Sequence, residues 1–178
     1  VKFAELNKKF VNIKNCTKEQ KLSFANLVSF PNPINEELYK DVFSDSENKI
    51  SELLITDTGV IIGGYIVCII TGYQIFYLKK IKVNPKLKST KYTQEILDRV
   101  LQLGLSVYDE NFKGIVGVSY FDENKKRKIE NDFIDIKGYT IIHGSIIRNK
   151  SARLSYLPVN GGYNSDEIKE IFNFIKNI

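Results

Sequence analysis

The chain has 178 residues, 43% hydrophobic and 26% charged, with a formal net charge of +5; this suits one globular domain, residues 1–178, able to bury a core without disulfide or metal staples. Two cysteines and a single histidine, His143, leave no zinc-type ligand set, and the absence of a Gly-x-Ser-x-Gly elbow sets aside a Ser-His-Asp hydrolase. The longest apolar run, Val60 to Ile70, is eleven residues, too short to cross a bilayer, and no apolar leader opens the chain, so a cytoplasmic protein without membrane attachment is expected.

In chain order, Val1 to Leu6 reads as a short strand. Thr17 and Gln20 form a capping box ahead of a helix whose apolar face is Leu22, Ala25 and Val28, stopped by Pro31 and Pro33. Asn35 caps a second helix, with Ile34 and Tyr39 spaced as a hydrophobic staple. Glu52 to Thr56, Val60 to Ile70 and Gln74 to Val83 are strands, joined by the turns Asp57-Thr58-Gly59 and Thr71-Gly72. Such short turns leave no room for a crossover, so the three strands form an antiparallel meander. Cys68 lies inside the apolar run and reads as a free, packed thiol, whereas Cys16 precedes a helix start.

Pro85 ends the meander. Tyr92, Ile96, Val100, Leu103 and Val107, flanked by Leu97, Leu101 and Leu105, then give a helix with a wide apolar stripe for packing on a sheet. Gly114 to Tyr120 follows as a strand, and the crossover makes it parallel to Gln74–Val83. A basic helix with Ile129, Phe133 and Ile136 on one side ends at Gly138. Strands Tyr139–Arg148 and Ala152–Val159 come next, and a last helix capped by Asn164 buries Ile168, Ile171, Phe172 and Ile175. The fold class expected is α/β, with a mixed, mostly antiparallel central sheet of about six to seven strands and helices on both faces.

Between Tyr73 and Thr93 there are six lysines (79, 80, 82, 86, 88 and 91) and no acidic residue, and Lys125-Lys126-Arg127-Lys128 forms a second cluster. Together they point to an anionic partner, either a nucleotide cofactor or nucleic acid. The junction from Val83 to Thr93 joins a strand end to a helix N-terminus, where free N–H groups and the helix dipole converge. Ser89, Thr90 and Thr93 add hydroxyls, and Lys86, Lys88 and Lys91 add charge. On these residues alone the junction is either an anion site or an ordinary capped helix with surface lysines.

Val83-x-Pro85-x-x-Lys88-x-x-Lys91-x-Thr93, leading into Ile96-Leu97, resembles motif A of the GNAT acyltransferase superfamily, and Phe133 to Tyr139 resembles its closing Tyr-x-x-x-Gly-Phe segment. The resemblance covers roughly Ser51 to Ser145. It implies that acetyl-coenzyme A or coenzyme A lies along Ile81, Lys82 and Val83, with its pyrophosphate on Lys88, Ser89, Thr90, Lys91, Tyr92 and Thr93, and it adds Asn124 to the cofactor set. It also implies direct acyl transfer to an amine acceptor, with a base for the ammonium and a proton donor for the thiolate.

Lys91 and Thr93 stand where the family has small residues, and Ile134 stands at the family's acid tyrosine. Tyr120 is the replacement donor, and Tyr77 occupies the position of the glutamate base that some members carry. The activity implied is acyl-coenzyme-A-dependent N-acyl transfer, most simply acetylation, by a monomer or homodimer. The basic surface also suits an acidic or RNA-borne acceptor. The competing functions are a GNAT-like module that binds without transfer, and a nucleic-acid-binding domain using the lysine-rich face.

Overall fold

A computed structural model of the protein describes residues 7–87, 90–120, 140–147 and 150–175. The strands are β1 (Lys8–Asn12), β2 (Lys49–Thr56), β3 (Ile61–Ile70), β4 (Ile75–Val83), β5 (Gly114–Tyr120), β6 (Thr140–Ile147) and β7 (Lys150–Pro158). They form a seven-stranded sheet in the order β1-β2-β3-β4-β5-β7-β6. Among the described residues four helices accompany it: α1 (Lys18–Ser29), α2 (Glu36–Phe43), α3 (Thr90–Tyr108) and α4 (Ser165–Ile175). The pairs β1/β2, β2/β3, β5/β7 and β6/β7 are antiparallel, and β4/β5 is parallel. This is the mixed, mostly antiparallel α/β sheet expected. The strand expected at residues 1–6 and the basic helix expected within 125–138 lie outside the described residues.

The chain groups into two compact units, Val1–Ile69 with Lys79–Val100, and Ile70–Leu78 with Leu101–Ile178, so that β4 and α3 are each divided between them.

In the first unit, α1 starts on the capping box: Thr17 Oγ1 accepts from Gln20 N at 3.1 Å and Gln20 Oε1 accepts from Thr17 N at 2.9 Å. Asn35 Oδ1 caps α2 by accepting from Leu38 N at 2.8 Å. Phe24, Ala25, Leu38 and Val42 of these helices pack with Leu53, Ile55 and Ile66 of the sheet. Phe24, which the helical spacing had not singled out, is fully buried, while Leu22 is only half-buried. Tyr39 is 48% exposed and stacks on Phe43 at 4.5 Å.

On the opposite sheet face, α3 buries Tyr92, Ile96, Leu97 and Val100. Adjacent glycines of β3 let both helices close in. A Cβ on Gly64 would stand 2.9 Å from Phe24 Cε1 of α1, and one on Gly63 would stand 3.2 Å from Ile96 Cδ1 of α3. Because consecutive strand residues face opposite ways, the pair relieves both faces at one point of the strand.

A buried polar clamp joins α3 to the sheet. Arg99 Nε and Nη2 donate to Glu52 Oε1 and Oε2 at 2.9 and 3.1 Å, and Tyr65 Oη donates to Glu52 Oε1 at 2.5 Å. Such a bidentate pair satisfies a carboxylate that would be costly to bury alone. Burial, and then the bond to Glu52, pushes the Tyr65 phenol far above its usual range.

In the second unit, the β4/β5 ladder runs from Ile75↔Gly114 to Leu78↔Gly117, and β5 pairs with β7 from Gly114↔Pro158 to Tyr120↔Ala152. Phe112 is fully buried, 5.2 Å from the Phe76 ring and stacked on Tyr108. A Cβ on Gly104 would stand 2.1 Å from Phe112 Cζ, so the end of α3 turns Gly104 and Tyr108 toward that ring. Leu105 and Val107, expected in the buried stripe, are therefore 38% and 50% exposed. Asn164 and Glu167 cap α4 reciprocally, and Ile168, Ile171, Phe172 and Ile175 are buried as expected.

Two smaller expectations are corrected. Val60 belongs to the turn after Gly59 (φ +84°) and is 46% exposed, so β3 begins at Ile61. Both cysteines are free, but Cys16 is the buried one and Cys68 is half-buried.

Candidate functional site

The first unit holds the end of β4 and the start of α3. Proline lacks an N–H, so Pro85 cannot continue a ladder. The last strand-like bond is Asn84 N to Ile62 O at 2.7 Å, after which the chain turns. Asn84 Oδ1 accepts from Lys86 N at 3.1 Å and Asn84 O from Leu87 N at 3.0 Å, closing a single 3-10 turn over Pro85–Leu87. From Thr90 the backbone is helical for 19 residues, with no acidic residue in the first turn.

Ile81, Lys82 and Val83 are half-buried at the strand end, and β3 runs hard against them. A Cβ on Gly63 would meet Lys82 O at 2.4 Å and Val83 Cα at 3.1 Å. Lys91 is exposed and Thr93 half-buried. Tyr92 is 3% exposed with Lys8 Nζ 5.7 Å from its ring centre, so its side chain belongs to the core and its backbone to the helix start. Lys8 also pairs with Glu95 at 3.4 Å, tying that first stretch of helix to β1. Lys88, Ser89 and Asn124 lie outside the described residues, as do the side chains of Thr90 and Tyr120. Tyr120 is the last residue of β5, and Tyr77, 8% exposed, sits on the part of β4 that pairs with β5, opposite Val116.

The lysine run does not form one exposed face. Lys79 is 15% exposed and bridges Glu37 at 3.2 Å and Asp41 at 2.9 Å. Lys80 and Lys82 are half-buried, while Lys86 and Lys91 are exposed.

Beside the strand end lies a cavity of about 890 Å³. Its walls are the polar side of α1 (Thr17, Glu19, Gln20, Ser23, Asn26), Leu27 and Phe30 at that helix's end, the turn Gly59 to Ile61, and Lys82, Asn84, Pro85 and Lys86. This is a size that encloses a small molecule, with apolar walls and a few convergent polar groups. Of these residues the sequence had marked Lys82 and Lys86 through the basic run, Lys82 also as part of the cofactor strand, and Pro85 within the motif that follows it. A helix's polar face reads as solvated, and nothing local shows that Phe30, 79% exposed, stands at the rim of a hollow.

No family model matches the sequence, and no curated protein matches it. Solved structures do match. An acetyltransferase of the GNAT family from Staphylococcus aureus Mu50 superposes over 85% of this chain and 99% of its own, with a TM-score of 0.65 at 17% identity. This chain has the GNAT acetyltransferase fold. A spermidine N-acetyltransferase of Vibrio cholerae, solved with coenzyme A and spermine, matches over 85% of this chain and 95% of its own, at a TM-score of 0.54 and 13% identity. Tetrahymena GCN5 matches over 83% and 95%, at a TM-score of 0.55 and 14% identity. At these identities the likeness is one of fold. Within this GNAT fold the β4–α3 junction offers main-chain N–H groups of a helix start together with lysine ammonium groups, a donor set whose chemistry fits a pyrophosphate. Among the described residues no helix is long and apolar enough to cross a membrane.

Proposed function

We propose that residues 1–178 act as a single cytoplasmic acyl-coenzyme-A-dependent N-acyltransferase domain, most simply an acetyltransferase acting on an amine. The observation that carries this reading is the junction itself: β4 closing at Val83-Asn84-Pro85 and turning into an acid-free helix start, within a GNAT fold. Ile81, Lys82 and Val83 would hold the pantetheine arm by backbone groups, in the manner of an added strand. The amides and side chains of Lys88 to Thr93 would hold the pyrophosphate, with Asn124 completing the set. Acetyl-coenzyme A supplies the acyl group as a thioester.

The acceptor arrives as an ammonium and gives up two protons, one to solvent and one to the departing thiolate, as its nitrogen takes the acyl carbon and the carbon–sulfur bond breaks. Tyr120 is assigned the proton to sulfur, because it ends the strand parallel to β4; Tyr77, at the position where some family members carry a glutamate base, is the candidate for drawing the proton from the ammonium.

A second reading, binding without transfer, is favoured by one observation: Ile134, which cannot donate a proton, stands where the family resemblance expects the acid tyrosine. The nucleic-acid reading loses support because Lys79 is taken up by Glu37 and Asp41.

Thermal denaturation with added coenzyme A tests the proposal. At a ligand concentration about one hundred times the dissociation constant, linkage gives about 2.7 kcal/mol, or roughly 5–11 °C in Tm for a chain of this size. No shift and no calorimetric heat at millimolar ligand would reject it. Binding without acylation of any amine would select the second reading.

A further inference from the structure

The cavity beside the end of β4 carries its own chemical signature. Among the described residues its only carboxylate is Glu19, against two ammonium groups, Lys82 and Lys86. Among the described residues neither lysine is paired with a carboxylate. Asn84 is already oriented: its Oδ1 accepts from Lys86 N, which leaves its Nδ2 as a donor beside the two lysines. Gln20 has its Oε1 engaged by Thr17 N, so it too presents its amide N–H₂. The side chains that the strand end itself gives to the cavity, Lys82, Asn84 and Lys86, therefore supply donors and cations. The lining also has an apolar part, from Leu27, Phe30, Val60 and Ile61.

An oligocation would meet two like charges here and a single counter-charge, an arrangement that disfavours it. A molecule with an apolar body and a carboxylate would meet complementary groups for each. The cavity and Ile81–Val83 belong to the same unit, so the Lys82 backbone can serve the cofactor while its side chain lines the hollow.

On the reading given above as the proposed function, we propose that this cavity takes the acceptor, and that the acceptor is an amino acid with a large apolar side chain. Its carboxylate is held by Lys82, Lys86 and Asn84. Its side chain lies against Leu27, Phe30 and Val60.

The probes are phenylalanine, phenylalanine amide and spermidine, titrated calorimetrically into the full chain with and without coenzyme A. Phenylalanine is expected to bind at least about tenfold tighter than its amide, the value of one charge-assisted contact, and spermidine most weakly. Lys86→Gln, on an exposed side chain that folding does not depend on, should cut the acid-to-amide ratio about tenfold. Equal binding of acid and amide, preference for spermidine, or no binding by any of the three overturns the proposal. Thiol release with the same compounds separates it from the transferase reading. Selective binding of phenylalanine without any acylation sustains the cavity assignment and removes the transferase, whereas acylation that prefers spermidine or the amide does the reverse.

Discussion

Gly63→Ala is the most direct probe of how the site is built. The added methyl carbon would lie 2.4 Å from Lys82 O and 3.1 Å from Val83 Cα, both main-chain atoms, so no side chain can swing aside to relieve it. Restoring a close carbon–oxygen approach of roughly 3.3 Å requires β4 to back away by about 0.9 Å. Overpacking of this kind costs up to about 3 kcal/mol. Lower chain entropy in the unfolded state returns about 0.4–1 kcal/mol for a glycine-to-alanine change. The net loss is about 2 kcal/mol, or roughly 4–8 °C in Tm. Because the displaced atoms are the strand end assigned to the cofactor, the shift on adding coenzyme A should shrink as well. Gly72→Ala is the control, since a Cβ there has nothing within 4 Å. Differential scanning calorimetry of both variants decides it: a Gly63→Ala melt within about 1 °C of the parent, on the scale used above, would refute the close approach of β3 to β4.

Arg99→Leu should destabilise by about 2–3 kcal/mol in urea titrations, somewhat less than the roughly 3–5 kcal/mol of a fully buried pair, because the guanidinium side chain is 35% exposed while Glu52 is 10% exposed; a loss under about 0.5 kcal/mol, the surface-pair range, would show the clamp to be incidental. Alkaline stability gives a third test. The folded-state pKa of Tyr65 is raised above its unfolded value near 10.0, so its contribution is complete below that pH and is lost as pH rises, at about 1.4 kcal/mol per pH unit. Tyr65→Phe should have a correspondingly shallower fall in stability above about pH 10, and parallel profiles for the two proteins would exclude Tyr65 as the source. Tyr120→Phe should lower turnover at least about tenfold, a floor below the usual hundredfold of a general acid because a thiolate can leave without full protonation, with coenzyme A affinity nearly unchanged. Full activity in that variant would reassign the proton donor.

The secondary structure was legible wherever a local rule governs it. Thr17 with Gln20, Asn35, and Asn164 with Glu167 start helices through bonds within four residues of chain, and the structure forms each of them. The parallel placement of β5 followed from the crossover alone. What depends on a distant partner was not legible. Leu105 and Val107 looked buried by period, yet Gly104 gives way to Phe112 and turns both outward. Gly63 and Gly64 sit inside an apolar strand with no local pattern to account for them, and only the neighbouring strand end and the helix on each face show why bulk is excluded there. The cavity unites the polar side of α1, a turn near residue 60 and the chain after β4, three segments whose meeting no local pattern encodes. The junction at Val83 to Pro85 was visible because strand, proline and helix start are contiguous in sequence.

The attachment of α3 bears on how a ligand would meet its first turn. Lys8 with Glu95 and Arg99 with Glu52 and Tyr65 fasten the helix to β1, β2 and β3 within ten residues of its start. Tyr92 and Ile96 fill the space beneath it. Conformational freedom at that end is surrendered when the chain folds, before any anion arrives. Its main-chain donors are aimed in advance, so association with a phosphate would lose little further entropy, and affinity there would rest on rigidity inherited from the sheet rather than on closure around the ligand.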